Sequence, residues 1–310
     1  MKSSIEKIIV TVSIDTECDH DVNWVRANPL TYKSILVGVP DRLQPAFDEV
    51  GAVPTYLLTV EVMEQPDCVS ALKNLSGHYE LGTHLHAAFI EPEKKYFDYA
   101  GVDSPDFQCS YAPDVEYQKL QNLSELFKRS FGYTPTSFRA GRYGANHHSL
   151  NSLQKLGYKV DTSVTPHIRW TEPNAVVDFR KAPEQPYFPS SSSASVPESY
   201  TDGRILEVPV TIKPRLIRRS PKWFRPWFSS VDEMKEIFHY HMKKYRDNRI
   251  LSINMMFHSM EIIEKASPYP QTASDVARFL EDMQEGLNWC KEEGAVFGGL
   301  SSLHSEFVPG

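Results

Sequence analysis

Two carboxylates, Asp15 and Glu17, stand two residues apart where the β-branched run IIVTVSI (residues 8–14) stops. The period of two in an extended chain aims them to the same side, so one site can use one acid as a base and the other as a cation ligand. GTHLH repeats the pattern with His84 and His86, whose neutral imidazoles can share one cation. One carboxylate and two imidazoles leave coordination positions open, which is the mark of a catalytic metal site and not of a closed structural one. FRAGRYG supplies Arg139, Arg142, Tyr143 and two glycines. An arginine at a strand end can hold a carboxylate ionised, and glycines let backbone N–H groups approach an oxyanion. His258 follows the apolar run ILSINMMF, with a side chain whose ordinary pKa suits proton donation. Each segment alone also reads as a solvated loop, a turn or a satisfied histidine; their shared position after apolar strands favours chemistry.

The elements that must position these groups alternate. Strands are expected over residues 8–14, 53–60, 79–86, 136–140, 160–164, 204–212, 250–257 and 295–300. Helices are expected over 41–50, 115–131, 146–156, 231–245 and 274–293, with Gly132 and Gly157 as C-caps and Ser274 as an N-cap. Seven or eight strands separated by helices predict a parallel α/β sheet or a closed barrel, an architecture that places chemistry at strand carboxyl ends. The Pro- and Ser-rich stretch 166–203 reads as an irregular insertion in one 310-residue domain.

The chain is 41% hydrophobic and 24% charged with a formal charge of -7, which disfavours nucleic acid as a partner. It has no apolar run of membrane-spanning length and no signal-peptide pattern at the N-terminus, so a cytoplasmic location is expected. Cys18, Cys68, Cys109 and Cys290 show no metal-ligand spacing and are expected to be reduced, with Cys18 a small buried filler in preference to a ligand. Residues 213–228 (KPRLIRRSPKWFRPWF) hold six basic residues and no acid, with Trp223, Phe224, Trp227 and Phe228 among them. That mixture suits peripheral contact with an anionic membrane or a phosphate-bearing sugar carrier, its alternative being aromatics that cover the barrel. Three prolines argue against a regular amphipathic helix there.

The segments DTE, GTHLHA, FRAGRYG and FHSMEI, in this order, resemble the polysaccharide deacetylase family, the NodB-homology group that includes carbohydrate esterase family 4. The resemblance covers about residues 8–305 and looks closest to the cytosolic branch tied to surface-polysaccharide synthesis. It implies a distorted (β/α) barrel of about seven units, TIM-like, and a divalent metal, zinc first, on Glu17, His84 and His86. Asp15 would be the base, Arg139 the residue that orients it, and Tyr143 the backbone N–H donor to the oxyanion. His258 would be the acid, supported by Asp161. Arg142, Trp223 and Trp227 are expected to touch substrate.

Two departures stand out. The family's later metal histidine falls four residues after the first, where this chain has Ala88, so His86 must substitute; the third motif is also one residue longer. The activity implied is hydrolysis of an N-acyl group on a sugar of a surface-polysaccharide or lipopolysaccharide precursor, nucleotide- or lipid-linked. The alternatives are a deformylase on a lipid-linked aminosugar and a non-catalytic sugar-binding member, which the histidine missing at position 88 would favour. An amidohydrolase-type barrel also uses an HxH pair, but on its first strand, whereas here the pair ends the third.

Overall fold

β-branched residues fill β1 (Lys7–Thr16), and every residue after Lys7 is buried. A strand enclosed on both faces needs parallel neighbours and a helical cover. The structure, a computed structural model, describes residues 4–104, 106–173, 175–215 and 220–308. After β1 come β2 (Pro54–Leu58), β3 (Glu80–Leu85), β4 (Ser137–Ala140) and β5 (Val160–Asp161). Two hairpins follow, β6 (Arg169–Glu172) with β7 (Ala175–Asp178) and β8 (Pro189–Ser190) with β9 (Ser193–Pro197). Then come β10 (Leu206–Glu207), the small pair β11 (Ile212–Lys213) and β12 (Lys222–Trp223), β13 (Ile250–His258) and β14 (Ala295–Phe297).

The main sheet runs β10-β5-β4-β3-β2-β1-β13, with β14 beside the first half of β1 and all pairs parallel. Between its two edges the chain after β10 lies along β13: Thr211 N–H donates to Asn254 O at 3.1 Å and Asn254 N–H to Thr211 Oγ1 at 2.8 Å. The result is the distorted (β/α) barrel that the family resemblance implies, one of the two architectures that the alternation of elements left open. The expected strand over 204–212 is therefore two short strands joined by an extended crossing.

A π-helical stretch, Ser34–Leu43, runs into α1 (Gln44–Val50); α2 (Val60–Glu64), α3 (Pro66–Lys73), α4 (Pro113–Phe131), α5 (His147–Lys155), α6 (Val231–Lys244) and α7 (Ala273–Glu292) follow. Gly132 ends α4 in the left-handed conformation, as expected. The N-cap of α7 is Thr272 and not Ser274: the Thr272 hydroxyl accepts the Asp275 N–H while the Asp275 carboxylate reaches back. The final strand stops at Phe297, and α8 (Leu300–Phe307), which the sequence reading did not anticipate, turns under the barrel.

Strand alternation sorts the interior. Ile8, Val10, Val12 and Ile14 pack into the large apolar cluster shared with the helices, whereas Ile9 joins Leu57, Val160, Leu206 and the α8 residues Leu300 and Leu303. Above that apolar floor the same inward face of β1 turns polar. Asn254 Oδ1 accepts the Thr11 and Ser13 hydroxyls at 3.2 and 3.0 Å, and Asp15 follows at the carboxyl end. One face of one strand thus carries the barrel from core to chemistry.

The 166–203 insertion is more ordered than its composition predicts, since it holds both hairpins. Glu184 fastens it to α6, accepting from His167 Nε2 at 2.7 Å, Lys244 Nζ at 2.7 Å, Tyr245 Oη at 3.0 Å and Tyr240 Oη at 3.2 Å.

Candidate metal and acid–base site

Parallel register brings the expected residues into pairs: Asp15 lies beside His258 across β1 and β13, and His84 beside Arg139 across β3 and β4. Arg139, wholly buried, donates from Nη1 to Asp15 Oδ1 at 2.6 Å, from Nη2 to Ser13 Oγ at 2.6 Å and from Nε to Thr162 O at 3.0 Å. Burial pushes the Asp15 carboxyl upward, but the Arg139 guanidinium, with His84 and His258 nearby, outweighs it and holds the group below its ordinary value. Asp15 is therefore an ionised, buried acceptor.

Glu17, His84 and His86 place one ligand atom each within 4.8 Å of one another. His84 donates from Nδ1 to Arg139 O at 2.9 Å, which leaves Nε2 as the free lone pair, 3.4 Å from Glu17 Oε1. His86 Nε2 is 3.4 Å from Glu17 Oε2, and neither of its buried ring nitrogens has a hydrogen-bond partner among the described residues. An orphaned buried imidazole beside a carboxylate is costly unless something fills the gap, so these residues fit a divalent cation. Gly141 explains how His86 reaches: a Cβ there would stand 2.9 Å from His86 Nδ1 and 2.6 Å from Leu85 O.

The sequence reading missed Arg26. This buried guanidinium sits 3.5 Å from Glu17 Oε2, 3.9 Å from Glu61 Oε1 and 4.2 Å above the Phe89 ring. It lies in an irregular loop, and no local pattern marked it. Cys18 is the buried filler expected; burial and the Glu61 carboxylate push its thiol well up, and it is not part of the ligand group.

His258 reaches the same cavity, with Nε2 3.7 Å from Asp15 Oδ2. Its support differs from the expectation. Asp161 does not touch it; the Asp161 carboxylate accepts from the Ser163 hydroxyl at 2.7 Å and faces Glu207. Parity gives the reason. Val160 fills the barrel interior, so the adjacent Asp161 points to the opposite face, alongside Glu207 on β10. Burial and the Asp161 carboxylate hold the Glu207 carboxyl well above its ordinary value. The acid that supports His258 is Glu261, one turn on: His258 Nδ1 donates to its Oε1 at 2.8 Å. Arg225, also buried, donates to the same oxygen. Both residues were in view in the sequence, one in FHSMEI and one in the basic segment, without an assigned role.

A cavity of about 390 Å³ opens above these groups, lined also by Trp24, Arg142, Tyr143 and Trp223. Arg142 and Tyr143 both take left-handed backbone angles (φ 52° and 59°), a costly turn for residues with side chains, of the kind that collects at functional sites. Trp227 does not face the cavity; it stacks on Tyr269 at 5.8 Å and on Phe279 of α7 at 5.5 Å. Trp227, expected to touch substrate, is thus not among the residues that line this cavity. In the basic segment Lys213, Arg215 and Lys222 pair with Glu233 or Glu236 of α6, and Arg225 turns inward; Arg218 and Arg219 lie outside the described residues.

The fold is a distorted (β/α) barrel with its polar groups at strand carboxyl ends, an architecture shared with solved structures assigned as deacetylases. No family model matches the sequence, and no curated protein does. Among solved structures, a Mycobacterium smegmatis protein assigned as a polysaccharide deacetylase superposes with a TM-score of 0.52 at 16% identity, over 96% of this chain and 89% of that one. A Parabacteroides distasonis protein assigned as a glycoside hydrolase/deacetylase gives 0.62 at 12% identity, over 98% and 71%. A GH57 branching enzyme from Thermococcus kodakaraensis gives 0.50 at 9% identity, over 100% and 72%. At such identities the likeness is one of fold.

Proposed function

We propose that the protein is a metal-dependent hydrolase that removes an N-acyl group from a sugar, acting on a precursor of a surface polysaccharide or lipopolysaccharide. The observation that carries this reading is the convergence of an ionised Asp15, the Glu17–His84–His86 group and His258 in one cavity. The motifs DTE, GTHLHA, FRAGRYG and FHSMEI and the shared barrel support the same class of reaction.

A divalent cation on Glu17, His84 and His86, zinc foremost, would supply Lewis acidity and lower the pKa of water. Asp15, held by Arg139 and facing His258, is placed to accept a proton from the attacking water. His258, whose Nδ1 is committed to Glu261, presents Nε2 to the cavity 3.7 Å from Asp15 Oδ2, and is placed to receive there the proton that Asp15 takes from water and to pass it to the departing amine. The left-handed turn at Arg142 and Tyr143 brings backbone to the cavity wall, where the Tyr143 N–H is assigned to the oxyanion.

The precursor would be met inside the cell. No helix among the described residues is long and apolar enough to cross a membrane. Contact with an anionic membrane draws no support from Lys213, Arg215 or Lys222, which are paired with acids.

Calorimetric zinc titration of the wild type, Glu17→Gln and His86→Ala, followed by acetate release from N-acetylated sugars, tests the reading. One site lost in both variants, with acetate released only by the zinc-loaded wild type, is expected. Zinc binding unaffected by either substitution would overturn it.

A further inference from the structure

Among the described residues the cavity is bordered by a circuit of rings, ion pairs and backbone. Tyr143 stacks on Trp170 with ring centroids 5.4 Å apart and meets Trp223 at 6.0 Å; Trp223 meets Phe228 edge-on at 5.8 Å. Phe228 meets Tyr269 at 5.8 Å, and Tyr269 meets Trp24 at 5.5 Å. These six rings form an unbroken arc. The loop after β1, the turn after β4, strand β6, the 213–228 segment and the loop after β13 all contribute.

The remaining arc is polar. Arg142, next to Tyr143, pairs with Glu172 at 2.7 Å, two residues along β6 from Trp170, and with Asp103 at 3.8 Å. Beside Asp103 the backbone returns the circuit towards Trp24: Arg26 N–H donates to Val102 O at 3.4 Å and Gly101 N–H to Arg26 O at 3.0 Å. All six rings, together with Arg142, Glu172 and Asp103, line the cavity.

A site that works on interior units of a polymer must be open at two ends, because the chain has to enter and leave. A closed rim admits only a chain end. We propose that this cavity takes an N-acylated sugar end-on, as a free sugar or as the terminal unit of a larger molecule, with the remainder outside the rim. The proposal rests on the hydrolase reading and narrows its substrate to a free sugar or a terminal unit.

The wall also fixes the chemical character of that unit. Ring faces offer apolar surface to the C–H faces of a pyranose. Each arginine that lines the cavity already faces a carboxylate: Arg26 faces Glu17, Arg142 faces Glu172, and Arg225 faces Glu261. The positive charge of these arginines is thus matched by carboxylates, which disfavours a phosphate inside the described wall. The unit inside is an uncharged acylamino sugar, and an anionic carrier stays beyond the rim. A cavity of about 390 Å³ sits at the small end of the ~300–1,000 Å³ range of ligand sites.

The test is calorimetric binding of N-acetylglucosamine and its β-1,4-linked di-, tri- and pentasaccharides to the zinc-supplemented protein. End-on binding predicts affinities that level off after the first one or two units. In the Arg142→Ala/Trp170→Ala double variant, where the rim is cut, affinity should instead climb with length. A wild-type affinity that rises about tenfold or more from disaccharide to pentasaccharide, a ~1.4 kcal/mol gain from units that should lie outside, would overturn the proposal. So would the absence of saturable binding by every member. A levelled binding series without acetate release would keep the end-on well and remove the hydrolase reading, so the two failures are separable.

Discussion

Glu261 Oε1 accepts the Nδ1–H of His258 at 2.8 Å and the His258 backbone N–H at 3.0 Å, so a single carboxylate oxygen fixes both the ring and the chain that carries it. Arg225 donates to that oxygen as well, and its Nη2 lies 3.4 Å from His258 Nδ1. The other groups facing the ring are Asp15 and Trp24, whose ring centroid is 5.0 Å away. The histidine's tautomer is thereby set, with Nε2 towards Asp15.

Glu261→Gln should keep the fold and lower kcat far more than it changes KM, approaching the ~10²–10⁴-fold that a positioned acid contributes. Nitrogen-15 NMR of the His258 ring checks the cause without turnover. The wild type should show an Nδ1–H tautomer and the variant a mixture. An unchanged tautomer together with unchanged kcat would remove the role given to Glu261.

Arg139→Met should destabilise the protein by about 3–5 kcal/mol, because it leaves the Asp15 charge buried without its partner. Urea unfolding measures this. Adding Asp15→Asn should recover part of the loss, since the two side chains form one unit and their effects are not additive.

Gly141→Ala tests the close approach at His86. The added Cβ must displace His86 Nδ1 or the Leu85 carbonyl, so zinc affinity should fall about 10–100-fold, as it does when ligand orientation is disturbed, while the far-ultraviolet spectrum stays that of the wild type. Unchanged affinity would mean that His86 is not a ligand.

Stability should fall on the acid side in two stages. Burial holds the His241 imidazole at about 4, below its ordinary 6.5, so the unfolded chain takes up a proton first and stability is lost as pH falls through that interval. Burial pushes the Glu184 carboxyl up, but hydrogen bonds from His167 and Lys244 outweigh it and hold the group at about 2. Its contribution is full above the ordinary 4.5 and is lost as pH falls towards 2. Urea midpoints across this range should show both stages in the wild type and a smaller loss in the lower stage in Glu184→Gln, where Asp15 and the other lowered carboxylates still titrate.

The sequence by itself determined the strand ends and what stands on them. Apolar runs that stop at Asp15, His84, Arg139 and His258 are local facts, and strand periodicity with the loop chemistry between them predicted a parallel sheet or a closed barrel with these four residues at strand ends, the motif resemblance then pointing to the barrel. Other features depend on neighbours distant in the chain. Asp161 was read as the support for His258, but the side to which it points is fixed by Val160 packing against Leu57 and Leu206. Trp223 and Trp227 look equivalent in KWFRPWF, yet one faces the cavity and the other stacks on Phe279. Arg26 and Arg225 enter the site from irregular loops, whose path is set by long-range contacts and not by any period in the sequence. What the sequence could not show, and the tertiary structure decided, is the direction in which each of these side chains points, because that is settled by packing between segments that meet only in the folded chain.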